Sequence, residues 1–439
     1  MPVKTKKINR AWVVAVDMGY GHQRAAYPLR DLDHQTVINA NTYKGIPEAD
    51  KKIWQQSRSV YEFLTRFKSV PIIGPLAWNI FDKFQAIDYF YPRRNLSRPT
   101  LQLQQTYRLI QKKRWGKHLI DTLAKEPRPF ITSFFIPAFM AECWDYPGDI
   151  YCVVTDADIS RAWAPLDPLK SRIKYLAPTN RAQERLKLYG VKEDNIFLTG
   201  FPLPQENIGP NDKILKQDLW RRLSVLDPSG IFQAHFGQTL DKFIGQKPPH
   251  LEKLENNRVW LMFAVGGAGA QREIGHQILK SISNHIRTGR LGLILVAGIH
   301  DQIHNYFMEQ IKKHRLLDYL DLGVKLIYAD TKEDYFRKFN LALRETDILW
   351  TKPSELSFYS ALGLPIIIAP PIGSQEFFNK YWLEVIGAGI PQEMPMYAHE
   401  WLMDYLQNGW LAEAALQGYL EAPRRGVENI KKIVFNLSS

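Results

Sequence analysis

Cysteine is nearly missing from this sequence: Cys143 and Cys152 are the only two in 439 residues. One pair is no disulfide framework, and neither residue sits in a metal-binding spacing. Disulfide-stapled and zinc-ribbon classes are thereby excluded, and a reduced, cytoplasmic setting is expected. Long apolar runs are also missing, since none reaches the roughly 20 residues of a spanning helix. Any meeting with a membrane is therefore expected at its surface, as a peripheral contact on the inner face. The basic start MPVKTKKINR is followed by an apolar strand that stops at Asp17, too short for a signal-peptide core. No low-complexity tail is present. Acidic residues are in deficit, 45 against 57 basic ones, for a net charge of +12. That balance favours anionic partners such as phosphates, nucleotides or an anionic membrane surface. The lysines are scattered rather than gathered on one module, so no nucleic-acid partner is expected.

What is present is a repeated strand–helix alternation. AWVVAVDMG, TVINAN, PFITSFF, IYCVVTD, YLAPTN and NIFLTGFPL read as strands, with helices such as GHQRAAYPLRDL and RAQERLKLYG between them. After a polar stretch interrupted by Pro and Gly, FPLPQENIGPNDK, the pattern restarts with the strands RVWLMFAVGGAGAQ, LGLILVAG, VKLIYA, DILWTK and LPIIIAPP, separated by helices such as EIGHQILKSISNHI and SFYSALG. Strands alternating with helices imply βαβ units and parallel sheets. The expected fold class is α/β, with two Rossmann-like domains in tandem and the cleft between them as the default ligand site. The expected domains are 1–205, then a linker and helical segment 206–255, then 256–397, with C-terminal helices over 398–439. One segment, about 43–118, breaks the alternation as a helical, aromatic insertion. Its apolar positions Ile72, Leu76, Ile80, Phe84 and Ile87 have helical spacing, and Tyr89, Phe90, Tyr91, Arg93 and Arg94 follow. Such a stripe fits a buried helix. It also fits an interfacial helix or acceptor lip over 70–94, because aromatics beside arginines suit a headgroup boundary.

Four motifs carry chemistry. In GYGHQRAA, a strand breaks into Gly19, Tyr20 and Gly21, and His22 follows at a helix start. A dinucleotide fingerprint needs a third glycine where Arg24 stands and an acid at the end of the second strand. That strand instead carries Asn39 and Asn41, so a nicotinamide or flavin cofactor is not expected. His22 stands at the carboxyl end of the first strand, where α/β active sites lie, and is a candidate general base; a capping histidine is the plainer alternative. In FAVGGAGAQ, Gly266, Gly267 and Gly269 lead from a strand into a helix and offer backbone N–H groups to a diphosphate. In DILWTKPSELSFYSALGLPIIIAPPIGSQEFFNKYW, Lys352, Ser354, Glu355, Gln375, Glu376 and Asn379 crowd the ends of two successive strands. Ser354 and Glu355 also suit a capping role, whereas Gln375 and Glu376 are placed to bind sugar or ribose hydroxyls. In CVVTDADISRAW, Asp156 lies where an apolar strand ends and is expected to line the site, with Trp163 soon after. Asp158 reads as a structural carboxylate.

Taken in this order, the motifs resemble the GT-B glycosyltransferases of the diacylglycerol-galactosyltransferase and peptidoglycan lipid-intermediate N-acetylglucosaminyltransferase group. The resemblance covers most of the chain and is most specific from Val153 to Leu203. It implies an acceptor-binding N-terminal domain, a nucleotide-sugar-binding C-terminal domain, and C-terminal helices that cross back to the first domain. It implies inverting sugar transfer from a UDP-linked nucleotide donor to a lipid or other membrane-associated acceptor hydroxyl, with no obligatory metal and no further cofactor. On that likeness His22 and Asp156 are catalytic, and Gly19, Tyr20, Gly21 and Trp163 are acceptor-side. Gly266, Gly267, Gly269, Lys352, Ser354, Glu355, Gln375, Glu376 and Asn379 are donor-side. The sequence departs from the group where Tyr20 interrupts the small residues before His22, and where Phe358 stands for the usual ribose-binding glutamate. A GT-B sugar epimerase and an inactive nucleotide- or sugar-binding protein remain as alternatives.

Overall fold

The computed structural model describes residues 9–56, 87–248, 258–264 and 271–437. Its strands form two six-stranded sheets in which every pairing is parallel. The first holds β1 (Trp12–Ala15), β2 (Ile38–Asn39), β3 (Phe130–Thr132), β4 (Ile150–Val153), β5 (Lys174–Ala177) and β6 (Ile196–Leu198), in the order β2-β1-β3-β4-β5-β6. The second holds β7 (Val259–Ala264), β8 (Leu291–Gly298), β9 (Val324–Tyr328), β10 (Ile348–Thr351), β11 (Ile366–Ile368) and β12 (Gly389–Pro391). Its order, β12-β11-β10-β7-β8-β9, is the Rossmann order when counted from its own first strand. The two-domain, Rossmann-like α/β architecture expected from the alternation is therefore present. The physical cause is visible in the strands. LGLILVAG buries all 8 of its residues, IYCV all 4 and III all 3. Continuous apolar runs of this kind are stable only with helices on both sheet faces.

By its internal contacts the chain forms two compact units. One comprises residues 1–202, 373–378 and 425–439; the other comprises 203–372 and 379–424. Of the C-terminal helices, Gly426–Phe435 belongs to the first unit, while Ala398–Gln407 and Trp410–Glu421 belong to the second. Gly426 shows how tightly that last helix seats: a Cβ there would lie 2.1 Å from the carbonyl oxygen of Phe201.

The described parts of the insertion include both core and exposed segments, Tyr89 and Tyr91 being exposed. Trp54 and Trp115 are buried and meet edge to face at 4.6 Å. Thr100 caps the helix Leu101–Lys113, which buries Leu103, Tyr107 and Ile110. The stretch 70–86, which carries most of the helical stripe, lies outside the described residues.

Three local expectations change. GHQRAAYPLRDL is not one helix but α1 (Tyr20–Ala26) followed by 3-10 turns over Tyr27–Asp33. Pro28 has no N–H to give and crowds the preceding turn. SFYSALG forms 3-10 turns, Glu355–Leu362, rather than an α-helix. The edge strand β12 was not anticipated, because a three-residue Gly-Ile-Pro run carries no periodicity; proline is tolerated there because the strand is an edge.

Candidate active site

In the first sheet the strand order reverses between β1 and β3, which makes their carboxyl ends the topological switch point. The loop after β1 turns through Gly19 at φ 133, ψ 177, with nothing within 4 Å of where a Cβ would stand. Only glycine adopts that backbone readily. Gly21 needs no such conformation; it lies inside α1. The two asparagines that replace the dinucleotide-binding acid hold this turn in place. Asn41 accepts from the Asp17 amide at 2.8 Å and donates to the Asp17 carbonyl at 3.0 Å. Asn39 accepts from Gln23 Nε2 at 2.8 Å. Tyr20 turns inward and is buried, with the buried Arg24 guanidinium 5.9 Å from its ring centroid. Tyr20 therefore supports the turn from beneath, which explains how a large residue fits where small ones were expected.

His22, in the first turn of α1, reaches across the switch point. Its Nδ1 lies 2.8 Å from the carbonyl oxygen of Ser133, just past β3. A carbonyl only accepts, so Nδ1 carries the hydrogen, and the neutral ring has its lone pair on Nε2. The ring packs 4.5 Å from that of Phe134 and 6.2 Å from that of Trp163.

His22 lines a cavity of about 180 Å³ within the first unit. Phe134, Phe135 and Trp163 form an aromatic wall, with Phe135 and Trp163 centroids 5.2 Å apart. Asp156, half-buried just past β4, lines the same cavity, as do Gln102 and Gln375. The neighbouring Asp158 is buried and engaged by Arg185 through two bonds, 2.8 and 2.9 Å, and by the Ile159 amide at 2.9 Å. Arg161 holds the loop that presents Trp163. It donates to the carbonyls of Ser97, Ala164 and Pro165, and its burial lowers the guanidinium pKa from the ordinary value. Trp163 is itself anchored, because its carbonyl accepts from the Tyr175 hydroxyl at 2.8 Å.

In the second sheet the order reverses between β7 and β10. Gly266, Gly267 and Gly269, expected to face a diphosphate, follow β7 there but lie outside the described residues. Gln271, just beyond them, donates from Nε2 to the Pro370 carbonyl at 2.8 Å. Lys352, Ser354 and Glu355 follow β10 at the same switch point and are all partly buried. Asn379 is fully buried and donates to the Pro353 carbonyl at 3.3 Å, so it braces this loop from inside. Phe358 is buried and its ring lies 5.1 Å from that of Trp382, a packing role. Glu376 is also buried.

The structure thus brings together His22, Asp156, Trp163 and Gln375, which come from three separate motifs. Gln375 was expected beside the donor residues; it groups with the first unit, through the segment 373–378. The sequence reading missed Phe134, Phe135 and Gln102. PFITSFF reads as a strand throughout, and only its end after Thr132 signals that the two phenylalanines leave the sheet. Among the described residues no three or more His, Cys, Asp or Glu are grouped so as to hold a metal ion, and no helix is long and apolar enough to cross a membrane.

The fold and this site define a class: a two-unit, Rossmann-like α/β chain with a histidine- and carboxylate-lined cavity at the first switch point. A protein-family model described as a domain of unknown function, DUF6938, matches residues 250–391. No curated protein matches the chain. Similar solved structures include UDP-GlcNAc 2-epimerase from Neisseria meningitidis bound to UDP-GlcNAc, at 14% identity and TM-score 0.43, covering 97% of this chain and 98% of that one. The S. aureus MnaA–UDP co-structure is 13% identical at TM-score 0.46, covering 98% of each chain. The glycosyltransferase SnogD from Streptomyces nogalater is 13% identical at TM-score 0.39, covering 97% and 99%.

Proposed function

We propose that this chain is an inverting glycosyltransferase that moves a sugar from a UDP-linked donor to an acceptor hydroxyl held in the His22 cavity. The observation that carries this reading is the bond from His22 Nδ1 to the Ser133 carbonyl at 2.8 Å. It assigns the lone pair of the neutral ring to Nε2, on a side chain that lines a small cavity together with a carboxylate. In the reaction Nε2 takes the proton of the acceptor hydroxyl. The acceptor oxygen bonds to the anomeric carbon, and the bond to the diphosphate oxygen breaks with its electron pair leaving on the diphosphate. Asp156 supplies negative charge as the imidazolium forms. The donor is assigned to the second switch point, to Gly266, Gly267 and Gly269 for the diphosphate and to Lys352, Ser354 and Glu355 for phosphate and ribose.

The acceptor carries a lipid in this reading. Its support is the exposure of Tyr89 and Tyr91, 86% and 67%, beside Arg93 and Arg94. Vesicles containing anionic lipid test it. Replacing both tyrosines by serine is expected to weaken sedimentation with the vesicles, and unchanged sedimentation removes the lipid from the proposal.

A second reading, sugar epimerisation, is favoured by one observation: two proton-carrying groups, His22 and Asp156, line one cavity. Transfer needs one base; epimerisation at a carbon uses a removal and a return of the proton. A single experiment separates the readings. The protein is incubated in D2O with UDP-sugars, with and without hydroxylated acceptors. Acceptor-dependent UDP release supports transfer, and deuterium in recovered UDP-sugar supports epimerisation. Binding of UDP-sugars seen as a thermal shift, with neither product, identifies a binding protein, in keeping with Phe358 where a ribose-binding glutamate was expected. If no nucleoside diphosphate shifts the melting point and no turnover is found, the whole reading fails.

A further inference from the structure

We propose that Thr132 is a positioning residue for His22: through one peptide group its hydroxyl fixes the carbonyl that decides which ring nitrogen carries the hydrogen. The group joins Ser133 to Phe134. Its carbonyl oxygen lies 2.8 Å from His22 Nδ1, and its N–H donates to Thr132 Oγ1 at 3.2 Å. A peptide is planar and trans, so its N–H and C=O point in opposite directions. Holding the N–H on Thr132 therefore aims the carbonyl at the imidazole. An amide whose N–H is engaged is also the better acceptor. The consequence for rate rests on the functional reading above, whereas the tautomer is a property of the fold.

The hydroxyl is itself held. Thr132 ends β3, is fully buried, and donates from Oγ1 to the Phe134 carbonyl at 3.1 Å. Its backbone is in register with Val14 of β1, and the Ser133 amide continues that pairing by donating to the Val14 carbonyl at 3.2 Å. The peptide before the carbonyl is thus pinned by β1, and the peptide that carries it is pinned by Thr132. The Ser133 side chain takes no share, because its Oγ is enclosed and makes no hydrogen bond among the described residues.

The aromatic contacts do not make this choice by themselves. Phe134 and Trp163 pack against the imidazole with centroids 4.5 and 6.2 Å away. Turning the ring over about its Cβ–Cγ bond would exchange Nδ1 with a carbon and keep both contacts. The carbonyl does distinguish the two edges, since only an N–H donates to it. In a free neutral histidine the hydrogen prefers Nε2. The fold therefore holds the opposite tautomer, and an oriented acceptor is what holds it. A hydroxyl at position 132 supplies that orientation. Valine is β-branched like threonine and equally suited to a strand, yet it would leave the Phe134 N–H unpaired and the peptide free to tilt.

The test reads the tautomer directly, by proton–nitrogen NMR correlation of the imidazoles in the full chain labelled at histidine, at a pH where the ring is neutral. The His22 signals are identified by their loss in His22→Gln. In the wild-type protein Nδ1 is expected to carry the hydrogen. Thr132→Val is expected to move the tautomer ratio about fivefold toward Nε2–H. Thr132→Ser, which keeps the hydroxyl, is expected to stay close to wild type. Melting temperatures check that the variants fold, and Thr132→Ala makes the same deletion without a new methyl should Thr132→Val not fold. With UDP-sugar and acceptor, kcat is expected to fall in Thr132→Val with KM retained, and to recover in Thr132→Ser. A folded variant without the hydroxyl whose His22 keeps the wild-type tautomer overturns the inference and leaves the functional reading standing. A tautomer that shifts in a protein with no turnover supports the role of Thr132 and removes the functional reading. A wild-type His22 with its hydrogen on Nε2 overturns both.

Discussion

The imidazole of His22 donates from Nδ1 to the Ser133 carbonyl at 2.8 Å, joining the first turn of α1 to the residue that follows β3. One bond sets both the orientation of the ring and its tautomer. Because Ser133 contributes through its backbone, the bond survives any change of the serine side chain. Ser133→Ala is therefore expected to retain activity, whereas His22→Gln is expected to lose about 10²- to 10⁴-fold in kcat with the melting temperature nearly unchanged. Initial-rate measurements of UDP release on both variants check this. Equal losses in the two would remove the special role of the imidazole.

Asp158 and Arg185 form a fully buried pair with two hydrogen bonds, at relative exposures of 1% and 0%. Burial disfavours an isolated charge, so removing one partner is far worse than never having the pair. Asp158→Ala is expected to cost about 3–5 kcal/mol of unfolding free energy. Urea denaturation measures it, and a loss below about 1 kcal/mol would show that the pair contributes no more than a surface ion pair.

Cys152 is buried and Cys143 half-buried, and burial raises the pKa of both thiols. That of Cys143 is pushed up to about 11, by burial first and then by Glu142 and Asp145, and that of fully buried Cys152 is pushed higher still. The thiolate is the reactive form. Both cysteines are expected to react slowly with a disulfide reagent at pH 7.5 and quickly in denaturant. Fast labelling of the native protein would show that burial does not shield either thiol.

His314 and His276 approach Nε2 to Nε2 at 3.1 Å. Burial lowers the His314 pKa from the ordinary 6.5, and His276, Lys313, Lys280 and Arg287 lower it further. A depressed folded pKa means that the unfolded chain takes up the proton first as the pH falls. The associated stability is present above the unfolded value and is lost as the pH drops through the lower folded one. A decline of melting temperature between pH 7 and pH 5 is expected to shrink in His314→Gln. A wild-type slope unchanged in that variant would assign the decline to other groups.

The second parallel sheet was legible in composition and order. RVWLMFA, LGLILVAG and LPIII are apolar along their length, and such runs need cover on both faces. Gly19 was legible as a turn, since a strand running into glycine must break, but the special backbone belongs to it alone and not to Gly21. That Tyr20 is buried was not legible, because its inward direction depends on the helix phase of α1. Gln375 stood in a plausible donor motif, and nothing in its neighbours revealed that it lines the cavity of His22.

The sequence alone determined the two parallel sheets and the glycine turn, and it marked His22 and Asp156 as strand-end residues, because period, apolar runs and strand ends are local properties of the chain. Tertiary structure alone decided which of these ends meet. Ser133, Phe134, Trp163 and Gln102 reach His22 only because β3 pairs beside β1, and because the loop after β4 and the helix Leu101–Lys113 lie next to them. Strand order is a matter of long-range packing, and no short stretch of sequence encodes it.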